Sequence, residues 1–187
     1  MQFTKAHGAG NDFVLVDDRQ ETIRDWPTVA TEICDRHFGV GADGLILVRE
    51  AECGIYQMVM YNPDGSRAEM CGNGIRCVGQ FLYSEGVIQT AKVPVLTDAG
   101  ERWIQIVDSS PTCFYVAAGM GIPEFGPQQI PIDLPGTHVI DYPLDVGTQQ
   151  VSITAVSMGN PHAVCFVDSI EAVDLSTVGP LIENHPI

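Results

Sequence analysis

Apolar positions along the chain follow two rhythms. Short runs that read as strands cover residues 13–16, 45–48, 55–61, 93–97, 103–107, 113–117, 151–156 and 163–167. Helical spacing appears in 27–38, where Val29, Ile33, Cys34 and Phe38 share a face and Pro27 and Thr28 stand near the start. A second helix begins at Asn73, carries Ile75, Val78, Phe81 and Leu82 on one face, and meets a stop at Gly86. A third covers 177–184, with Pro180 near its start. Strands outnumber helices and do not alternate strictly with them, which predicts an α+β fold.

Two stretches punctuate this pattern. Asn62-Pro63-Asp64-Gly65-Ser66 is a strong turn, and 119–136 is rich in proline and glycine. The second stretch predicts a division into domains 1–118 and 119–187. Gly39, Gly41 and Gly44 form a glycine-rich loop without a complete phosphate-binding pattern, so a tight turn with close backbone approach is expected there.

The candidate chemistry lies at the start of the second helix, in Met70-Cys71-Gly72-Asn73-Gly74-Ile75-Arg76. Cys71 is expected at the helix N-terminus, facing open backbone N–H groups and the positive end of the dipole. Thiolate is favoured in such a place, and thiolate is the form that acts as base or nucleophile. The dipole alone contributes about 0.3–1 kcal/mol at an exposed end. Further donors are therefore expected, with the Gly72 and Asn73 N–H groups as candidates. A buried, inert cysteine is the plainer alternative. That plainer role is assigned instead to Cys34, Cys53, Cys77, Cys113 and Cys165.

Composition narrows the function classes. The chain has 187 residues, 45% apolar content and a net charge of −15, with nine basic residues in all. Such a chain can bury a core and offers no nucleic-acid surface. No run reaches the length of a membrane span and no signal-peptide pattern opens the chain, so a cytoplasmic location with free thiols is expected. Six cysteines and five histidines are dispersed, without metal-ligand spacing, so no metal is expected.

The chain also echoes itself. Gly10-Asn11 opens an apolar strand that ends on Asp17, and Gly159-Asn160 opens another that ends on Asp168. If the two halves share one plan, the counterpart of Cys71 falls about 60 positions after Asn160, near 220. The expectation is of a second half cut before its own cysteine.

Four motifs together resemble diaminopimelate epimerase. They are Lys5-Ala6-His7-Gly8-Ala9-Gly10-Asn11-Asp12-Phe13, Asn62-Pro63-Asp64-Gly65-Ser66, Met70-Cys71-Gly72-Asn73-Gly74 and Met158-Gly159-Asn160-Pro161-His162, in the family's order. The resemblance implies two pseudo-symmetric α+β domains, each a curved mixed or antiparallel sheet wrapped around a central helix, the second incomplete here. It implies a pyridoxal-independent isomerase that interconverts LL- and meso-diaminopimelate, in lysine and cell-wall precursor biosynthesis. Two cysteines act on opposite faces of the α-carbon, and Cys71 matches the first. The other belongs to a later Cys-Gly motif that does not occur after Cys71 in this sequence. Substrate contacts are implied for Asn11, Asn62, Gly72, Asn73 and Asn160, and a supporting electrostatic role for His162. No cofactor is implied. One departure is Gly44, where some members carry glutamine, and it is left out of the site.

The chemistry accounts for these residue types. Inverting a stereocentre without a cofactor needs a base on one face and an acid on the other, and thiols ionise close enough to neutral pH to serve as either. The alternative route, a pyridoxal Schiff base, has only Lys5 and Lys92 available, and neither has a phosphate cradle. Other readings keep the fold and change the substrate, as in proline racemase-like and phenazine-pathway-like isomerases. A fragment that binds substrate without turnover and a cysteine hydrolase complete the set. This chain alone is expected to show negligible turnover. Unpaired strand edges predict association, a homodimer included. Asp12 and Asp64 are expected as capping and turn residues, and Asn62 as a turn residue and substrate contact at once.

Overall fold

A computed structural model describes residues 1–20, 25–51, 54–89, 92–110 and 113–187. Cys53 lies outside the described residues. The chain divides into two compact units, Met1–Met120 and Gly121–Ile187.

In the first unit, strands β1 (Thr4–Gly8), β2 (Asn11–Asp17), β3 (Gly44–Glu50), β4 (Tyr56–Tyr61), β6 (Val93–Thr97), β7 (Gly100–Ser109) and β8 (Phe114–Gly119) pair in that order. The short β5 (Arg67–Ala68) pairs with β4. Pairing is parallel between β2 and β3 and between β4 and β6, and antiparallel elsewhere. Helix α1 (Trp26–Cys34) makes the first parallel crossover, and α2 (Gly72–Ser84) belongs to the second.

The continuous apolar runs of β2 to β4 have a physical cause: they are covered on both faces. Phe13, Leu15, Ile46, Val48, Met58 and Met60 point into the core around α2. Their neighbours Val14, Val16, Leu45, Leu47 and Val59 pack with Trp26, Ala30 and Cys34 of α1. In β7, by contrast, Ile104 and Ile106 are buried between more exposed residues, as a strand with one wet face requires.

Helix α2 lies against β1 and β2 at one end of the strand order and β7 and β8 at the other, so the sheet curls around it. Buried Ile75, Val78, Phe81 and Leu82 form its inner face, each contributing about 1.5–3 kcal/mol. Two glycines permit the close approach. A Cβ at Gly8 would come within 2.9 Å of the Asn73 carbonyl oxygen, and one at Gly74 within 2.8 Å of Ile46 Cδ1. The α+β sheet wrapped on a helix is the fold expected of the first domain.

Several expected elements differ in extent. Helix α1 ends at Cys34, because the Asp35 carboxylate accepts the His37 and Phe38 N–H groups, both at 2.7 Å, and folds a turn there. Phe38 is 95% exposed rather than on the helix's apolar face. The glycine loop is the tight turn expected: a Cβ at Gly39 would lie 2.2 Å from the Glu32 carbonyl oxygen. Cys34 and Cys77 are buried, whereas Cys113 is exposed rather than packed. Asp12 is no cap; it joins an ionic cluster described below.

The second unit holds β9 (Tyr142–Val146), β10 (Gln149–Ser157) and β11 (Pro161–Val164) in one antiparallel sheet, with α3 (Leu175–Glu183). Val178 of α3 packs with Leu144, Val146 and Ile153, and partly buried Cys165 lies against this cluster. Asp174 caps α3 through the Thr177 N–H, so the helix starts earlier than its apolar spacing indicates and Pro180 falls inside it. Strand β9 has no counterpart among the expected elements. Among the described residues no helix is long and apolar enough to cross a membrane.

Candidate active site

Cys71 is the N-cap of α2, with extended backbone (φ −140°, ψ 111°). Its Sγ accepts the N–H of Gly74 at 3.3 Å. The capping donor is thus the third helical residue, the usual geometry of a cap, rather than Gly72 or Asn73 as expected. The N–H groups of Gly72 and Asn73 meet no acceptor among the described residues. The sulfur is half-buried at the rim of the core, while burial pushes the Cys77 thiol, further along the helix, up to about 11.

Asn11 reaches this sulfur from the β1–β2 hairpin. Two residues, Ala9 and Gly10, connect the strands, with φ of 53° and 88°. Positive φ at both positions is the signature of the tight type I′ turn, whose twist suits a hairpin. The turn delivers Asn11 opposite Gly8, and Gly8 abuts the first turn of α2. Asn11 Oδ1 accepts from Cys71 Sγ at 3.9 Å and from Asn73 Nδ2 at 3.5 Å.

Charged groups flank these amides. Asn11 Nδ2 donates to Asp43 Oδ2 at 2.8 Å, and the Asp12 N–H donates to the same oxygen at 3.0 Å. Arg36 bridges Asp12 and Asp43, 2.7 Å from each, and Lys5 is 2.7 Å from Asp12. The Arg36 guanidinium, followed by the Lys5 ammonium, holds the Asp12 carboxyl well below the usual carboxylate range. At the other end, Arg76 donates to Asn73 Oδ1 at 2.5 Å and to the Gly72 carbonyl oxygen at 3.0 Å.

The structure therefore brings together Cys71, Asn11, Gly72 and Asn73 from the expected set. Asn62 stays in its own turn, donating through Nδ2 to Ser66 Oγ at 3.0 Å, and Asp64 accepts the Ser66 N–H. Asn160 and His162 belong to the second unit. There the Asn160 carbonyl accepts the Met158 N–H at 3.1 Å, and His162 Nδ1 lies 2.9 Å from the same oxygen. A carbonyl can only accept, so this contact requires the proton on Nδ1. Gly159, like Gly10, has positive φ, but the three-residue loop entering β11 has positive φ only there, whereas both residues of the β1–β2 turn have it.

Asp43, Arg36, Arg76 and Gly74 were not among the expected site residues. Asp43 and Arg36 meet partners separated from them in sequence, and only the glycines around Asp43 drew attention to that loop; Gly74 acts through its backbone N–H, and Arg76 meets Asn73 at the three-residue spacing of a helix. Of the two lysines, Lys5 is tied into the ionic cluster and Lys92 lies 3.9 Å over the Trp103 ring. A cavity of about 320 Å³ opens between β1, α2 and β8, lined by His7, Arg76, Gln80 and Cys113, and Cys71 is not part of its wall.

Solved structures with the same fold include a probable proline racemase from Agrobacterium radiobacter K84, with TM-score 0.63 and 14% identity over 95% of this chain and 52% of that one. A phenazine biosynthesis protein from Bacillus anthracis gives TM-score 0.60 and 22% identity over 91% of this chain and 58% of its own. In sequence, the diaminopimelate epimerase of Pelotomaculum thermopropionicum is 47% identical over all of this chain and 67% of that relative. The diaminopimelate epimerase of Moorella thermoacetica is 43% identical over the same shares. Residues 3–125 match the family model described as diaminopimelate epimerase, and the chain belongs to that family.

Proposed function

We propose that this chain serves the interconversion of LL- and meso-diaminopimelate without pyridoxal phosphate, Cys71 acting on one face of the α-carbon. The observation that carries this reading is the sulfur at the start of α2 beside two open N–H groups. In the reaction, Cys71 thiolate takes the α-proton as the C–H bond breaks, and the electron pair moves into the α-carboxylate. The Gly72 and Asn73 N–H groups would hold that carboxylate and stabilise its growing charge. An acid on the opposite face then returns a proton to carbon, which inverts the centre. Asn11, Asn62, Asn73 and Asn160 would supply neutral contacts to a zwitterionic substrate, with His162 in a supporting electrostatic role. The net charge of −15 disfavours nucleic-acid partners.

Alkylation by iodoacetamide, followed by mass spectrometry, tests the reading. Diaminopimelate should slow modification of Cys71 by at least about tenfold, while exposed Cys113 reacts at an unchanged rate. Equal Cys71 rates with and without diaminopimelate would end the proposal. Deuterium uptake at the α-carbon in D₂O, which needs only the Cys71 base and not the acid on the opposite face, separates proton abstraction from binding alone.

A further inference from the structure

Two charged side chains that are not among the expected site residues fix the orientation of the Asn11 and Asn73 amides beside the Cys71 sulfur. A carboxylate can only accept, so the Asp43 contact of 2.8 Å requires the nitrogen end of Asn11 and turns Oδ1 toward the sulfur. A guanidinium can only donate, so the Arg76 contact requires the oxygen end of Asn73 and turns its NH₂ toward Asn11. The polarity of both amides is thus set by formal charge, from both ends of one chain of contacts. Asp43 is itself held by Arg36, by the Asp12 N–H and through its own N–H to the Asp12 carbonyl at 2.8 Å.

We infer that Asp43 and Arg76 are positioning residues that make the wall beside Cys71 an acceptor, and so select ligands carrying an ammonium group. This rests on the epimerase reading above. The protein contacts to Asn11 Oδ1 are long, at 3.9 and 3.5 Å, and an ammonium group would be a stronger donor to the same oxygen. A carboxylate in that place would meet a fixed dipole of the wrong sign. Carboxylate and ammonium of one stereocentre are then sorted between the open N–H groups of α2 and the Asn11 oxygen.

The test compares diaminopimelate with pimelate, the same dicarboxylic chain without amino groups, as protectants of Cys71 against iodoacetamide. The unaltered chain should be half-protected by diaminopimelate at a concentration at least about tenfold below that for pimelate. Asp43→Asn, which lets the Asn11 amide turn over, should cut that ratio below about threefold, as should Arg76→Met. In an Asn11→Ala background, Asp43→Asn should change the ratio no further. If Asp43→Asn weakens both ligands by one common factor, or leaves the ratio intact, the inference is overturned. Absence of protection by diaminopimelate in the unaltered chain sinks the functional reading first. Should the variants not fold, the unaltered isotope-labelled chain decides. A coupling across the hydrogen bond from Asn11 Nδ2 to the Asp43 carboxylate carbon is expected, and its absence overturns the assignment.

Discussion

Helices α1 and α2 begin in opposite ways. At α1 a carboxylate caps the helix, Asp25 Oδ1 accepting the Thr28 N–H, with Pro27 in the first turn. Serine, threonine, aspartate and asparagine are the strong caps, and proline is preorganised for the first turn. At α2 the same position holds a thiol, followed by Gly72, Asn73 and Gly74, none of them a good helix former. The contrast shows where local stability was not maximised. Helix α2 can begin poorly because the sheet curls around it, with Ile75, Val78 and Leu82 fully buried. Tertiary packing sustains the helix and leaves its first turn open for chemistry.

The largest effect expected from this contrast is at Cys71. Cys71→Ser should lower α-deuterium exchange by at least about 100-fold, since a hydroxyl does not ionise near neutral pH. Serine is also the better cap, so thermal stability should hold or rise by up to about 1 kcal/mol. A loss of stability comparable to the loss of exchange would mean that the thiol is structural, and the comparison would break. A smaller effect belongs to α1. Asp25→Ala should cost about 1 kcal/mol in chemical denaturation and leave the alkylation rate of Cys71 unchanged.

The smallest effect concerns pH and helix α3, whose start resembles that of α1. Hydrogen bonds from Ser176 and Thr177 hold the Asp174 carboxyl below its ordinary range. A group with a lowered folded-state value contributes stability that is complete above its unfolded value, about 3.9, and is lost as pH falls further. Amide exchange, corrected for its intrinsic rate, should therefore quicken at Thr177 and Val178 as pH is lowered from 5 to about 2.5. The cap of α2 has no carboxylate to protonate, so Gly74 and Ile75 should show no matching change. Equal responses at both helix starts would remove the distinction drawn between them.

Much of the fold was visible in the order of residues. Alternation in β7 and the unbroken runs in β2 to β4 reported one buried face and two, and Ile75, Val78, Phe81 and Leu82 located α2. Local rules also placed Cys71 at a helix start. They misjudged Phe38, because the Asp35 turn ends α1 through hydrogen bonds that hydrophobic spacing does not register. They passed over β9, whose alternate positions Leu144 and Val146 are few and whose pairing with β10 is what defines it.

The residues Cys71, Asn11, Asn73 and the two Gly-Asn turns are properties of the chain itself, since motif order and turn chemistry act over a few neighbouring positions. How the Asn11 and Asn73 amides are turned is a different kind of fact. It depends on Asp43 lying 32 positions from Asn11, and on Arg76 meeting Asn73 across one turn of a helix that the sheet encloses. Helical spacing already sets Arg76 beside Asn73, but only folding brings Asp43 to Asn11, because a hydrogen bond requires contact within about 3 Å, which a separation of 32 positions does not encode.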